Sequence, residues 1–577
     1  MLKLYRGLRP YTRQLMVMVL LLFVQAFSML MLPSMMSLII DNGVVKGDMD
    51  YITMAGIIMV CITLAGSASA IGVGYFASKV AVGFCTDTRK RLFRHIDRFT
   101  LAEFDKVGTS SLTTRSTNDI LQVQTFTIML FRLIILAPIM CIGGIVLAFQ
   151  KNASLAMVLV ICMPVIIVFL VFVLRSAFPL FRSMQTKLDK VNLIIRENIT
   201  GVRVVRAFTA EEREEQRFEA ANEDMTQTST KSQVKVSTLM PLLMLIINLG
   251  TVAVVWFGGQ QISMGVIQVG DMMALIQYLM LIMYALVMMS LIFALMPRAS
   301  VCAQRIVEVM EIQPDIVNPR EPKTPQEQTG VVEFRGVALA YGGSATPAIS
   351  NISFTALPGQ TTALIGATGS GKSSVICTIP RLRDVTQGSV TVDGVDVREY
   401  DLAALRKRIG YVPQQSNLFA GTIRSNIAFA DESMNEEQVL RAARIAQADE
   451  FISQKKLQYD DPIAEGGTNV SGGQRQRLTI ARAMATDASI FVFDDSFSAL
   501  DFKTDAAVRK AIKENTKNAT VIIVAQRIGT IMDADKILVM DKGKIVGEGT
   551  HKELLATCDI YAQIAQTQLA EGGGENA

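Results

Sequence analysis

The chain has 577 residues, half of them hydrophobic, and only 19% of its residues are charged. This length predicts at least two domains, and so high a hydrophobic fraction excludes a protein that is soluble throughout. The formal net charge of +4 is small, so we expect no nucleic-acid partner.

Six apolar segments in the first half of the chain are long enough to cross a bilayer core, which needs roughly 20 residues of helix. They predict six membrane-spanning helices in contact with membrane lipid. Pro33 and Pro164 lie inside two of these segments, where neighbouring helices can satisfy the carbonyl groups that a proline frees. The segments cover about residues 15–40, 52–78, 129–150, 154–176, 237–263 and 271–297.

Basic residues lie on one side of the first two spans. The start of the chain, MLKLYRGLRPYTRQL, is basic, the loop DNGVVKGDMD after the first span is mostly acidic, and the basic run RKRLFRH follows the second span. The positive-inside rule therefore predicts a multi-pass protein of the cytoplasmic (inner) membrane with both termini in the cytoplasm.

Two long connections join spans on this cytoplasmic side, over about residues 79–128 and 177–236. Both have helical patterns of apolar and charged residues, and each is long enough for two helices that project beyond the membrane as stalks. We expect the tips of the stalks near Phe104–Thr109 and Arg206–Glu211. Amphipathic helices on the membrane surface are the alternative interpretation.

The second half of the chain holds a phosphate-binding motif. After the apolar run TTALI, Gly366–Ser373 matches G-x-x-x-x-G-K-[ST] at a predicted strand-to-helix turn. The glycines let backbone N–H groups face phosphate oxygens, Lys372 reaches the β- and γ-phosphates, and Ser373 offers its hydroxyl to Mg²⁺. The motif thus predicts ATP and Mg²⁺ as cofactors. The predicted ATP-binding residues here are Gly366, Thr368, Gly369, Ser370, Gly371, Lys372, Ser373 and Ser374.

Asp494 ends the apolar run IFVF, which predicts a buried strand. Proteins with such phosphate loops keep a carboxylate at this place to hold Mg²⁺ through water. We therefore expect Asp494 to be part of the metal site. An aspartate that only caps a helix is the alternative.

Further motifs resemble those of ABC transporters. The segment VSGGQRQRLTIARAM, Val470 to Met484, resembles the signature motif, YVPQQSNLFAGTIRSNI resembles the Q-loop, SALD at Ser498–Asp501 is similar to the D-loop, and GEGTHKELL is similar to the usual C-terminal stretch. Together with six spans and two stalks, the whole chain resembles a half-transporter of the exporter type.

The resemblance implies the fold and its domains. We expect an N-terminal six-helix transmembrane α-bundle with long cytoplasmic helical stalks, plus a C-terminal α/β P-loop ATP-binding cassette domain. The transmembrane domain covers residues 1–310, a linker rich in proline and charge covers 311–330, and the nucleotide-binding domain with its C-terminal tail covers 331–577. The family further implies that a short helix at each stalk tip sits in a groove of a nucleotide-binding domain.

Residue roles carry over from the same resemblance. Tyr341 matches the aromatic residue that stacks on adenine, with an ordinary tyrosine at a strand end as the alternative. Gln414 matches the Q-loop glutamine and is expected with Ser373 and Asp494 at the metal. Ser498 and Asp501 belong to the D-loop. The signature residues that contact ATP bound to the partner chain are Ser471, Gly472, Gly473 and Gln474.

Two catalytic positions depart from the family's pattern. Asp495 stands where the family has the glutamate that polarises the attacking water, and Gln526 stands where it has the switch histidine. A carboxylate that is one methylene shorter sits about 1 Å further from its target, and misplacement of that size can cost about a hundredfold in rate. Glutamine cannot carry the positive charge of a histidine. We therefore expect MgATP binding with weak hydrolysis; a tolerated Asp495 variant is the alternative.

The signature motif is close to the family's consensus, so such a chain can complete the ATP site of a partner chain. In a head-to-tail dimer each ATP lies between one chain's phosphate loop and the other chain's signature motif. The resemblance to heterodimeric exporters with one degenerate site predicts a second, different ABC half-transporter as the partner, whose active site this signature completes.

The expected activity is ATP-driven export of hydrophobic or amphipathic small molecules, as in multidrug exporters. The predicted spans lack buried charges, which argues against a dedicated path for ions or anionic solutes. The alternatives are a lipid or peptide exporter, an exporter-shaped importer, or an ATP-sensing subunit that moves no cargo.

Overall fold

The computed structural model describes residues 1–325, 327–342 and 346–572. Contacts divide the chain into two compact units. The first comprises Met1–Asp97 and Thr109–Ile312, and the second comprises Arg98–Gly108 and Gln313–Ala577. The end of the predicted C-terminal tail, after residue 572, lies outside the described residues.

The first unit is helical. Within the described residues, six of its helices are long and apolar enough to cross a membrane: Lys3–Val44, Met49–Ile96, Thr109–Lys151, Ala153–Thr200, Glu211–Ser263 and Val269–Met289. Each contains one of the predicted spans or most of it. The individual helices are α1 (Leu2–Tyr5), α2 (Thr12–Leu38), α3 (Met49–Ile96), then, after α4 of the second unit (Leu101–Val107), α5 (Thr109–Thr114), α6 (Ile120–Lys151), α7 (Ala153–Thr200), α8 (Val202–Ala207), α9 (Glu211–Ser237), α10 (Leu239–Ser263) and α11 (Val269–Glu311).

Several helices run far past the length that a bilayer requires. Helices α3 and α7 have 48 residues each. At 1.5 Å per residue each is about 72 Å long, more than twice the thickness of the hydrocarbon core. The stalks are therefore continuous with the spans. Asp48 and Asn152 start these helices as N-caps, by accepting the backbone N–H of Tyr51 and Leu155.

The tip of the second stalk contains the short helix α8, which Gly201 separates from α7. The chain reverses after α8, where Thr209 has a φ of 50°. The predicted tip, near Arg206–Glu211, covers this reversal but begins four residues after α8 does. Sequence periodicity does not show where α7 ends, because Val202–Ala207 continues the helical pattern.

The core of the first unit lies where α2, α6, α7, α10 and α11 meet. Tyr278 is fully buried there, and its hydroxyl lies 3.0 Å from the carbonyl oxygen of Leu30 and 2.7 Å from Ser34 Oγ. A buried hydroxyl costs little once it is paired. At one end of the same bundle Lys151 Nζ lies 2.9 Å from Asp271 Oδ1, which joins α6 to α11.

Helix α4 packs with the second unit. Thr100 and Glu103 form a capping box at its N-terminus, and the buried Glu103 carboxylate also accepts the backbone N–H of Asp315 at 2.9 Å. Burial raises the pKa of Glu103, but the hydrogen bonds from Thr100 and Asp315 outweigh that effect and lower it overall. The helix begins three residues before the predicted tip near Phe104–Thr109.

The second unit is built around two larger sheets. The six-stranded sheet has the order β12-β11-β3-β10-β9-β6, and all neighbours in it are parallel except β11 and β12. A four-stranded antiparallel sheet has the order β2-β1-β4-β5, and β7 pairs with β8. The strands are β1 (Val332–Leu339), β2 (Ile349–Ala356), β3 (Thr361–Gly366), β4 (Gln387–Val392), β5 (Val395–Asp396), β6 (Ile409–Val412), β7 (Gly421–Thr422), β8 (Pro462–Ile463), β9 (Ile490–Asp494), β10 (Thr520–Val524), β11 (Lys536–Asp541) and β12 (Lys544–Gly549).

Helices cover the six-stranded sheet, whose parallel strands are almost wholly buried, as expected for an α/β domain. These helices are α12 (Lys372–Ile376), α13 (Leu402–Lys407), α14 (Ile423–Ile427), α15 (Glu436–Ile445), α16 (Asp449–Ser453), α17 (Gly472–Met484), α18 (Phe502–Asn515), α19 (Ile528–Ile531), α20 (His551–Thr557) and α21 (Asp559–Gly572).

Parallel pairing brings the carboxyl ends of four strands to one edge of this sheet. Leu364 on β3 pairs with Val524 on β10, Val524 pairs with Asp494 on β9, and Val412 on β6 pairs with Phe493 on β9. Ligands of open α/β sheets bind in the crevice outside such an edge. The segments that follow β3, β6, β9 and β10 therefore share one place in the fold.

Candidate nucleotide site

The phosphate loop follows β3 and is shaped by close backbone contacts. A Cβ atom on Gly366 would lie 2.1 Å from the carbonyl oxygen of Met540, so no other residue fits there without moving β11. Gly371 has a φ of 98°, which glycine adopts readily, and it starts α12. Between them Thr368 and Gly369 are exposed and Ser370 is buried. A phosphate can thus approach the exposed backbone between the two glycines.

Lys372 is buried and bends back over the loop. Its Nζ donates to the carbonyl oxygens of Gly366 and Ala367 at 2.8 and 2.9 Å. Burial lowers the pKa of Lys372, and the nearby Asp495 and Asp494 carboxylates oppose that shift. The ammonium group therefore lies within the loop and close to both acidic residues at the end of β9.

Ser373 and Asp494 lie side by side, as the predicted metal site requires. Ser373 Oγ donates to Asp494 Oδ1 at 3.0 Å, although the two residues are 121 positions apart. Burial raises the pKa of Asp494, and the hydrogen bond from Ser373 partly offsets the shift. A hydroxyl and a carboxylate are oxygen donors that suit Mg²⁺, which binds few protein groups besides phosphate oxygens and water. These residues fit the metal that accompanies ATP.

Asp495 has an unusual backbone conformation and a defined partner. Its φ is 47°, in the left-handed region that aspartate enters more readily than most residues. Its Oδ2 accepts a hydrogen bond from Gln526 Nε2 at 2.9 Å. Burial raises the pKa of Asp495, and the charges of Lys372 and Arg527 with the amides of Gln414 and Gln526 act in the opposite direction. The two residues that depart from the family's pattern are therefore in direct contact.

Tyr341 and Gln414 follow β1 and β6. Tyr341 is 37% exposed, and its hydroxyl lies 2.7 Å from Oγ of Ser374 in the phosphate loop. Burial raises the pKa of this hydroxyl, and the hydrogen bond with Ser374 acts against the shift. Gln414 is exposed two residues after β6 ends and lies near Asp495. Tyr341 thus contacts the phosphate loop, and Gln414 contacts the acidic residue that follows Asp494.

The signature residues form the N-terminus of α17. Ser471 caps this helix: its Oγ accepts the N–H of Gln474 at 3.3 Å, while Gln474 Oε1 accepts the N–H of Ser471 at 3.1 Å. Gly472 is exposed, and a Cβ atom there would meet nothing within 4 Å. Gly473 lies close to the carbonyl oxygen of Ala499. In the described part of the chain, no hydrogen bond joins these residues to the phosphate loop.

The D-loop lies between β9 and α18. Ser498 Oγ donates to the carbonyl oxygen of Asp495 at 3.0 Å, and Asp501 caps α18 through the N–H of Thr504 at 2.9 Å. The sequence analysis did not identify Gln476, which is buried on α17 and connects Asp495 to Ala499. Its Nε2 donates to the carbonyl oxygen of Asp495 at 3.4 Å, and its Oε1 accepts the N–H of Ala499 at 3.2 Å. A polar residue among the apolar positions of the predicted helix could have indicated that Gln476 has hydrogen-bond partners inside the domain.

A separate cavity of about 500 Å³ lies among α2, α3, α6 and α11 in the first unit. Its wall is mostly apolar, and the exposed residue Arg132 also lines it. Of the methionines on α11, Met288 lines this cavity, Met283 is buried and Met280 is about half exposed. The lining residues are Leu22, Gln25, Met29, Val73, Thr125, Ile128, Met129, Arg132, Leu133, Leu136, Ala137, Met140, Leu281, Tyr284, Ala285 and Met288.

Comparison with known protein families gives two matches. Residues 15–286 match the ABC transporter transmembrane region, and residues 349–498 match the ABC transporter family. The first match covers most of the helical unit, and the second covers the phosphate loop, the signature motif and the strand that ends at Asp494.

Curated relatives match over nearly the full chain. An uncharacterized ABC transporter ATP-binding protein of Mycobacterium tuberculosis is 42% identical over 97% of both chains. The ABC transporter ATP-binding protein YfiB of Bacillus subtilis is 37% identical over 99% of both chains. An ATP-dependent lipid A-core flippase of Vibrio vulnificus is 30% identical over 99% of this chain and 98% of its own length.

The fold also matches a solved structure. A bacterial Atm1-family ABC exporter with ATP bound superimposes with a TM-score of 0.81 at 23% identity, covering 96% of this chain and 98% of that one. The predicted fold class is thus confirmed, as are ATP and Mg²⁺ as the cofactors of the family. The chain belongs to the ABC transporter family, as a multi-pass, ATP-hydrolysing half-transporter with the exporter fold.

Proposed function

We propose that this chain is the ATP-binding subunit of a heterodimeric exporter and that its own ATP site is degenerate. The observation that carries the proposal is the contact between Asp495 and Gln526, 2.9 Å apart at the edge of the sheet. The shorter carboxylate is engaged by an amide instead of facing a cationic histidine. The site retains the groups that bind MgATP and lacks the pair that activates water.

The kind of partner is inferred from the signature motif, which would complete the ATP site of another chain. Ser471 to Gln474 are exposed or half-exposed at the start of a capped helix of 13 residues. A helix N-terminus of this kind stabilises negative charge. A different half-transporter with glutamate and histidine at the two catalytic positions would therefore gain a working site completed by this signature, with Ser498 and Asp501 in the adjoining D-loop.

Repair of the site should restore hydrolysis. Asp495→Glu restores the reach of the carboxylate, and Gln526→His restores a group that can carry charge. We expect the double variant to raise single-turnover hydrolysis by about tenfold in a heterodimer whose partner has lost its catalytic glutamate. Recovery should be incomplete, because glutamate fits the left-handed backbone at residue 495 less well than aspartate does.

The repair has an internal control. Adding Lys372→Ala to the double variant should remove the gained hydrolysis, since it disables only this chain's phosphate loop. No gain in the double variant, with the partner's signature motif intact, would mean that Asp495 and Gln526 do not silence the site.

The proposed cargo is a hydrophobic or amphipathic compound. The cavity among α2, α3, α6 and α11 supports this, because its volume suits a small molecule and its apolar wall includes a few polar groups. One relative is named for flipping lipid A-core, an amphipathic molecule, so a lipid belongs among the cargoes to be tested. The basic residues around the first two spans support the cytoplasmic membrane, with both termini inside.

Filling the cavity should weaken the response to cargo. Thr125 lines the cavity and is exposed, so Thr125→Trp adds bulk there without displacing buried neighbours. We expect about a tenfold rise in the cargo concentration that gives half-maximal stimulation of heterodimer ATPase, with unchanged basal activity. Leu121→Trp, exposed on the same helix but outside the cavity, is the matched control.

Transport itself should be measured in inside-out vesicles with hydrophobic dyes and with lipids. ATP-dependent accumulation in the vesicles supports export by the pair. An ATPase that responds to the partner's state but accumulates no cargo would instead indicate an ATP-sensing subunit. Equal responses of the Thr125→Trp and Leu121→Trp variants would argue against cargo binding in this cavity.

A further inference from the structure

The side chain of Arg383 connects helix α4 to Tyr341. The Arg383 guanidinium lies over the Tyr341 ring, 4.6 Å from its centroid, and the same group donates to Asp105 Oδ2 on α4 at 2.5 Å. The Arg383 side chain is only 17% exposed, whereas Asp105 is 72% exposed. All three residues belong to the second unit, although Asp105 and Arg383 are 278 positions apart.

The segment that carries Arg383 is held in place on both sides. The neighbouring Arg381 has a φ of 50°, donates to both carboxylate oxygens of Asp384 at 2.8 and 3.1 Å, and is nearly buried. Arg406 donates to the carbonyl oxygens of Pro380 and Arg381, both at 3.1 Å. Because these hydrogen bonds hold the backbone near Arg383 in place, the guanidinium reaches Tyr341 and Asp105 from a defined position.

The Tyr341 ring is thereby held at two points. Arg383 covers one of its faces, and the Ser374 hydroxyl holds its phenolic oxygen at 2.7 Å. Tyr341 as a whole is still 37% exposed, which leaves room for an adenine base to stack. A cation over one face of an aromatic ring is worth roughly a fewfold to thirtyfold in an equilibrium constant, depending on solvent exposure. Loss of Arg383 would therefore free the ring to tilt.

We propose that Arg383 is a positioning residue that couples adenine binding at Tyr341 to the docking of helix α4 on its own nucleotide-binding unit. This inference rests on the proposed ATP-binding function and on the predicted stacking of adenine on Tyr341. Stacking of the base fixes the ring, the ring fixes the guanidinium, and the guanidinium holds Asp105. Coupling between two sites is reciprocal, so firmer docking of α4 strengthens base binding by the same factor.

The experiment compares MgATP with inorganic triphosphate, which occupies the phosphate loop but has no base. Affinities are measured for the full-length chain in nanodiscs, together with amide hydrogen exchange of Leu101–Val107. In the unaltered chain, MgATP should slow exchange in α4 more than triphosphate does. Arg383→Gln should weaken MgATP binding by about threefold to tenfold, leave triphosphate binding unchanged, and abolish the extra protection of α4.

Two further variants define the connection. Asp105→Asn, at an exposed position, should reproduce the loss of α4 protection, and it should add little when combined with Arg383→Gln, because both changes break one chain of contacts. Arg335→Gln, an exposed arginine paired with Glu333 in the same unit, is the matched control and should change neither quantity.

Tyr341→Ala separates the two proposals. If Tyr341→Ala leaves the ratio of MgATP to triphosphate affinity unchanged, then Tyr341 is not the adenine platform, and both proposals about it are overturned. If Tyr341→Ala lowers the ratio while Arg383→Gln and Asp105→Asn leave the ratio and the α4 exchange unchanged, only the coupling through Arg383 is overturned. Retained triphosphate binding shows that each variant is folded, and Asp105→Asn tests the coupling even if Arg383→Gln fails to fold.

Discussion

Lys372→Ala should abolish the labelling of this chain by azido-ATP. The ammonium group is buried inside the phosphate loop. Its removal takes away the positive charge that the phosphate-loop motif predicts for contact with the β- and γ-phosphates. Truncating one partner of a buried, hydrogen-bonded charge pair costs about 2–5 kcal/mol, which corresponds to at least about a thirtyfold loss of affinity. Photolabelling of the purified chain at a fixed azido-ATP concentration measures the loss.

The control for this prediction is Lys510→Ala, an exposed lysine on α18. It removes the same charge from the same unit and should leave labelling unchanged. Because Lys372 also donates to the carbonyl oxygens of Gly366 and Ala367, its loss should lower the free energy of unfolding by only about 1 kcal/mol. Undiminished labelling of a folded Lys372→Ala chain would refute the assignment of the phosphate loop.

Ser471→Arg should reduce the ATPase activity of the assembled pair by about a hundredfold or more. The substitution places a long side chain at the exposed start of α17, where the proposed dimer seats the γ-phosphate bound to the partner. Removing a single group that stabilises the charge of a transition state commonly costs a factor of about 10² to 10³. Asp495→Asn should lower the same activity by less than about threefold, because in the proposed pair this chain's own site contributes little turnover.

The loss of a helix cap must be separated from the loss of a ligand contact. Ser471 closes a capping box, and replacing such a residue costs about 1 kcal/mol of stability. Thr550→Arg removes the corresponding cap of α20, also exposed, at a place with no proposed ligand. Thr550→Arg should therefore lower the free energy of unfolding by about as much as Ser471→Arg does, and it should leave the ATPase activity of the pair unchanged. Equal, near-total losses from Ser471→Arg and Asp495→Asn would instead identify this chain's own site as the working one.

Much of the architecture could be predicted because its signals are local. Long apolar runs predict the membrane helices, and the spans found over Met49–Ile96 and Ala153–Thr200 contain the predicted segments. The strands β3 and β9 could be predicted in the same way, since each is an apolar run that ends in a recognisable polar motif. What periodicity cannot give is where a stalk helix turns, which is why α4 and α8 begin before the predicted tips.

The contacts within the site depend on distant parts of the chain. The motifs placed Ser373 and Asp494 in one site, and parallel pairing of β3, β10 and β9 accounts for their hydrogen bond. No local signal predicts that Gln526 donates to Asp495, nor that Asp495 has a left-handed backbone, because both follow from how β9 and β10 end. The sequence likewise does not predict that Arg383 lies over the Tyr341 ring, because the tertiary fold brings these two residues together.

Helix α3 has a mechanical consequence because its 48 residues contain no proline. Helix α7 has the same length but is interrupted by Pro164 and Pro179, where kinks arise most easily. A rod about 72 Å long acts as a lever: a tilt of about 5° at one end moves the other end by about 6 Å. That displacement exceeds one helical turn, so α3 can turn a small angular change at one end into a side-chain-sized opening at its other end, whereas α7 can absorb part of the same movement by bending.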